Sequence, residues 1–102
     1  MPILLVTYDL NEEGAAYSAT RKKVVDYIED HDWARLSESS YAIDTTETPK
    51  QVYEALVPHL DDNDDLLVFT LTTPYWGQAD DEVVEWLEGK MSGASRRGRP
   101  GF

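Results

Sequence analysis

Phosphate recognition is the first chemistry the sequence offers. Arg21, Lys22 and Lys23 stand together in what reads as the first turn of a helix, and a helix N-terminus with added bases binds anions. The alternative is a solvated helix face, with Lys22 paired to Asp26 at i, i+4. Arg35 lies midway between Trp33 and Ser37, an alternation that places all three on one side of a strand. Such a grouping is either a platform for a base and its phosphate or a packed Trp–Arg pair at an interface. Asp9 closes an apolar run, where an aspartate accepts N–H bonds from the following turn.

Other constellations fail on spacing. Asp61–Asp65 begins like a calcium loop, but Leu66 and Thr72 occupy the positions that require Gly and Glu. His31 and His59 are single histidines near predicted helix ends, placed to complement a macrodipole rather than to ligate metal. Ser37, Ser39 and Ser40 have no base nearby in sequence to activate a nucleophile. There is no glycine loop to cradle phosphate, and the absence of cysteine removes thiolate chemistry.

The elements that position these residues belong to one domain. A chain of 102 residues, 41% hydrophobic and 28% charged, builds one modest core and is marginally stable unless a partner hides more surface. The domain spans residues 1–90, and residues 91–102, rich in Gly, Ser and Arg, read as a flexible basic tail. The net charge is −11. Residues 1–90 hold twenty acids against six bases, a balance of −14, while Arg96, Arg97 and Arg99 add +3 in the tail. This body repels polyanions except at a locally basic approach. The acids form a solvated surface, or some of them hold a metal or a basic partner. The opening Met1–Val6 is too short for a signal h-region and lacks a basic flank, and no apolar run spans a bilayer, so a cytoplasmic, membrane-free protein is expected.

Ile3–Tyr8 reads as a buried strand. Ser18 to about His31 has helical spacing, with Ser18 as N-cap and Val24, Val25 and Ile28 on one face. Trp33–Ser37 and Tyr41–Thr45 are short neighbouring strands. Thr48-Pro49-Lys50-Gln51 combines a capping box with Pro at the first helical position, opening a helix that turns Val52, Tyr53, Leu56 and Leu60 inward and that Pro58 kinks or ends. Leu66–Leu71 is apolar on both faces and reads as a central or doubly covered strand. Asp80 or Asp81 caps a third helix with Val83, Val84 and Leu87 as its apolar residues and Gly89 as its stop. The order βαββαβ plus a helix is the α+β, ferredoxin-like arrangement: an antiparallel sheet with helices on one face.

Two helices cover one side of such a sheet, yet the first and last strands are apolar on both. Leaving about six apolar residues wet, at roughly 1.5–3 kcal/mol each, is unfavourable. Either the third helix folds back over the second side or another copy docks there, and a homodimer through the sheet face is the expectation.

The strand Leu4-Leu5-Val6-Thr7-Tyr8-Asp9-Leu10 and the later Ser40-Tyr41-Ala42-Ile43 resemble the small dimeric CRISPR-associated nuclease of the adaptation complex. Trp33, Ser40–Ile43 and Asp65–Phe69 give a closer likeness to its SinR-like offshoot, and the resemblance covers about residues 1–72. It implies that Asp9, paired with its symmetry mate, holds a divalent metal, Mg2+ or Mn2+, for phosphodiester cleavage. Two carboxylates meeting across a two-fold repel, and a hard cation relieves them while activating water. On this reading Arg21, Lys22, Lys23 and Arg35 contact nucleic acid. The family's C-terminal region helps dock an integrase, whereas this sequence departs there with a third helix and an arginine tail. The alternative is a non-catalytic dimeric interaction or scaffold module that keeps the fold, and a toxin-like ribonuclease is a third possibility.

Overall fold

The computed structural model describes residues 3–11, 14–73 and 75–91. The elements run β1 (Ile3–Asp9), α1 (Gly14–Glu29), β2 (Asp32–Ser37), β3 (Ser40–Asp44), α2 (Pro49–Leu56), a 3-10 turn (Val57–His59), β4 (Asp65–Leu71) and α3 (Asp81–Lys90). The four strands form one antiparallel sheet in the order β2-β3-β1-β4. This is the ferredoxin-like α+β fold expected from the element order.

Alternation in the strands sorts side chains between two faces. Leu4, Val6 and Tyr8 of β1 join Tyr41 and Ile43 of β3 beneath α1 and α2, whose Val24, Ile28, Val52 and Leu56 complete a fully packed core. The capping box on α2 is formed in both directions: the Gln51 amide donates to Thr48 Oγ1 at 3.1 Å, and the Thr48 amide donates to Gln51 Oε1 at 2.9 Å. These bonds satisfy two of the donors that a helix start leaves open. Tyr53, expected inward, is 44% exposed, because one helical turn buries only the Val52–Leu56 stripe. Pro58 sits in the 3-10 turn that finishes α2.

Three boundaries differ from expectation. The first helix starts at Gly14, ahead of Ser18, since Ala15 and Ala16 are strong helix formers. Arg21-Lys22-Lys23 therefore lie well inside α1 and not at its N-terminus. Gly89 is carried within α3, which runs on to Lys90 after Asp80 at the N-cap position. β4 is an edge strand, not a central or doubly covered one: among the described residues no strand lies on its second flank, and Leu67 and Phe69 are 57% and 49% exposed.

The second face of the sheet is half covered. α3 folds back over it, and Trp86, Leu87 and Met91 pack on Ile3, Ala42, Leu36 and Leu71. A polar clasp fixes the helix there. The Trp86 indole donates to Asp32 Oδ1 at 2.8 Å. Lys90 pairs with Asp32 and, at 3.1 Å, with Asp44. Asp32 and Asp44 are directly opposed across β2–β3, so Lys90 neutralises two like charges that would otherwise face each other. On the β1–β4 half of this face Leu67 and Phe69 are exposed, while Leu5 and Thr7 are half-buried and the Thr7 hydroxyl lies 3.0 Å from that of Ser40.

Candidate functional site

β1 delivers Asp9 to the open end of the sheet. In register, Asp9 stands opposite Asp65, Thr7 opposite Leu67, and Leu5 opposite Phe69. Asp9 thus shares the bare face with the exposed apolar strip, and it carries a second carboxylate beside it.

A groove of about 490 Å3 opens at this end, bringing together Asp9 from β1, Tyr17 and Arg21 from α1, Arg35 from β2 and Glu38 from the β2–β3 turn. Tyr8 forms its buried floor and donates a hydrogen bond to the Glu38 carbonyl at 3.2 Å. Burial pushes the Tyr8 phenol above its ordinary range, and the nearby Arg21 and Arg35 pull it partly back, so both guanidinium groups act electrically on this floor. Two cations and two acids make the groove locally balanced within an otherwise acidic body.

Arg35 and Trp33 meet as expected, but through a third ring. The Arg35 guanidinium lies 6.0 Å from the centroid of Tyr41, Trp33 packs on the same ring at 5.9 Å, and Tyr8 stacks beside it at 6.5 Å. Ser37 does not share this side. A one-residue bulge between Arg35 and Ser37 sets Ser37 opposite Ser40, which reverses its direction.

Of the basic cluster on α1, Arg21 lines the groove while Lys22 and Lys23 lie outside it and are exposed. Lys22 is bound to Asp26 at 2.7 Å, the i, i+4 pairing of a solvated helix face. His31 caps α1: its Nδ1 donates to the Tyr27 carbonyl at 2.9 Å, and its Nε2 lies 3.1 Å from Glu47. No group of three or more His, Cys, Asp or Glu able to hold a metal occurs among the described residues. Their helices include none long and apolar enough to cross a membrane. Arg96, Arg97 and Arg99, and the flexible tail expected around them, lie outside the described residues.

Sequence reasoning missed Tyr17, Glu38 and Asp65 as neighbours of Asp9. Alternation marks Asp9 and Asp65 as strand-end residues, but only the β1–β4 register sets them side by side.

No protein-family model matches the chain, and no curated protein matches it significantly. Among solved structures, the crystal structure of Streptococcus pyogenes Cas2 is similar, with 25% sequence identity and a TM-score of 0.55 over 68% of this chain and 84% of that one. The fold is Cas2-like.

Proposed function

We propose that this Cas2-like chain works as a homodimer on nucleic acid, with phosphate bound in the groove and divalent metal held by Asp9 from each subunit. Arg21 and Arg35 are the phosphate contacts, and Lys22 and Lys23 add positive charge on the adjoining surface of α1. The observation that carries the reading is the convergence of Asp9, Arg21 and Arg35, from three separate elements, on one groove. The SinR-like likeness of Trp33, Ser40–Ile43 and Asp65–Phe69 narrows the class further.

The half-covered face supports dimerisation. Leu67 and Phe69 are exposed beside the half-buried Leu5, and burying this strip against a second copy removes apolar surface from water. Asp9 extends the same strip, so a two-fold axis there gathers carboxylates from both chains. One chain offers only Asp9 with Asp65 opposite, and Mg2+ or Mn2+ takes one or two carboxylates together with water and substrate phosphate. These donors fit a hard cation once the second copy contributes its own Asp9. Such an ion, when bound, would activate water for phosphodiester cleavage.

The test is cleavage of labelled DNA and RNA with Mg2+ or Mn2+, alongside sedimentation of the same samples. The reading requires a dimer, metal-dependent cleavage, and loss of cleavage but not of the dimer in Asp9→Asn. A monomer, or cleavage unaffected by Asp9→Asn, overturns it. The −14 charge of residues 1–90 favours a second reading, a dimeric scaffold without nuclease activity. That reading predicts a dimer that binds neither nucleic acid at low salt.

A further inference from the structure

Tyr17 lines the Asp9 groove and is 36% exposed. One turn further along α1, Arg21 enters the same groove. Residues at i and i+4 of a helix stand on one face, about 5–6 Å apart at Cβ. An aromatic ring and a guanidinium group are thus presented side by side, at a spacing of the order of that between a base and its own phosphate. Arg35 reaches the groove from β2, its guanidinium held by the Tyr41 ring and by the bond from its Nε to the Ser37 carbonyl at 3.2 Å. Tyr8, which also lines the groove, is buried, stacked beside Tyr41 and bonded to the Glu38 carbonyl, so it offers a ligand little surface.

We propose that Tyr17 makes this groove select unpaired nucleotides, in single-stranded DNA or RNA, over duplex: a base stacks on its ring while Arg21 and Arg35 hold the adjoining phosphate. The inference rests on the reading of the groove as a phosphate site. Charge is the first argument. Asp9 and Glu38 offset the two arginines within the groove, and residues 1–90 carry a balance of −14, so phosphate contacts alone give a polyanion little net attraction. Stacking is indifferent to that balance, because every base has a π-face. Size is the second argument. A volume of about 490 Å3 is that of a cleft for one small ligand, enough for a nucleotide and too little for a double helix. The third is access. A base inside a duplex has both faces covered by its neighbours, whereas an unpaired base can be splayed out onto an aromatic side chain.

Fluorescence anisotropy tests the proposal on the full-length protein and its Tyr17→Ala and Tyr17→Phe variants. The probes are a labelled single strand, as DNA and as RNA, and a long blunt duplex. Tyr17→Ala should bind the accepted single strand about 5- to 100-fold more weakly, with the slope of log affinity against log salt and the duplex affinity both unchanged. Tyr17→Phe, which keeps the ring, should match the wild type. The DNA and RNA arms show which strand the groove accepts. Single-strand binding by Tyr17→Ala equal to that of the wild type, equal weakening on strand and duplex, or a Tyr17→Phe variant as weak as Tyr17→Ala would each overturn this proposal alone. A salt slope untouched by Arg21→Ala and Arg35→Ala would overturn the phosphate reading, and this proposal with it.

Discussion

Asp9 and Asp65 occupy directly opposed positions at the open end of the β1–β4 ladder, two acids of the same sign on the face that α3 leaves bare. Like charges in opposed strand positions destabilise a sheet by about 0.2–1 kcal/mol. Asp65→Asn should therefore raise stability by a few tenths of a kcal/mol, to about 1 kcal/mol at most, in chelator-treated buffer. Addition of Mg2+ or Mn2+ should raise the melting temperature of the wild-type protein and leave that of Asp9→Asn unchanged. Calorimetry with and without the ion checks both outcomes.

The groove separates the four basic candidates. Arg21→Ala and Arg35→Ala should each weaken nucleic-acid binding and lower the slope of log affinity against log salt by about 0.7–0.9. Lys22→Ala, which removes a partner of Asp26 on an exposed helix face, should shift that slope less. Binding titrations from low to moderate salt make the comparison.

Glu47 ties α1 to the loop before α2. It accepts from the Tyr27 hydroxyl at 2.7 Å and faces His31 at 3.1 Å. The Tyr27 bond, followed by His31, holds Glu47 below its ordinary 4.5, while burial and the same carboxylate push Tyr27 well above its ordinary 10.0. The lowered acid contributes stability above pH 4.5 that disappears as the pH falls through its folded value. The raised phenol contributes stability below pH 10.0 that disappears as the pH rises. Tyr27→Phe should cost about 1 kcal/mol near neutrality, a figure held down by the partial exposure of Glu47. The cost should shrink below pH 4.5. Urea midpoints across the pH range test the window.

The clasp on α3 gives a further pair of outcomes. Lys90 holds Asp32 below its ordinary 3.8, aided by the Trp86 indole, and Asp32 with Asp44 raises Lys90 above its ordinary 10.5. The clasp therefore weakens as the pH falls below 3.8 or rises above 10.5. Trp86→Phe keeps the ring and removes the N–H, and it should cost about 0.5–1.5 kcal/mol. Met91→Ala, at a buried site under the clasp, should cost about 2–3 kcal/mol. Lys90→Met should lower the denaturation midpoint, and dye binding should increase in all three variants as Ile3 and Ala42 lose their cover.

Local signals carried most of the fold. The apolar run of β1, the Thr48 capping box and the Val52–Leu56 stripe each act within a few residues, and each led to the observed element. What escaped was set by distance in sequence. β4 has the composition of a buried strand, but the sheet order makes it an edge, and no local pattern encodes that order. The bulge that turns Ser37 away from Arg35 is likewise a property of pairing with β3. Of the candidate site residues, Arg21 was singled out by its basic cluster on α1, Arg35 by its alternation with Trp33, and Asp9 by the resemblance of its strand to the family's opening. Tyr17, Glu38 and Asp65 join them only through long-range register, and the clasp of Lys90 on Asp32 spans more than half the chain.

Among the described residues, the order β2-β3-β1-β4 leaves two strands with a row of backbone N–H and C=O groups unmatched on one flank. β2 is guarded, with Asp32 and Arg35 on it, a bulge near its end and α3 alongside. β4 carries charge only at Asp65 in the run DLLVFTL, and nothing else on it discourages a foreign strand from adding on. Crowded or heat-stressed protein should therefore begin to form fibrils along β4. A copy docked over Leu67 and Phe69 would protect the chain against this as well as completing its site.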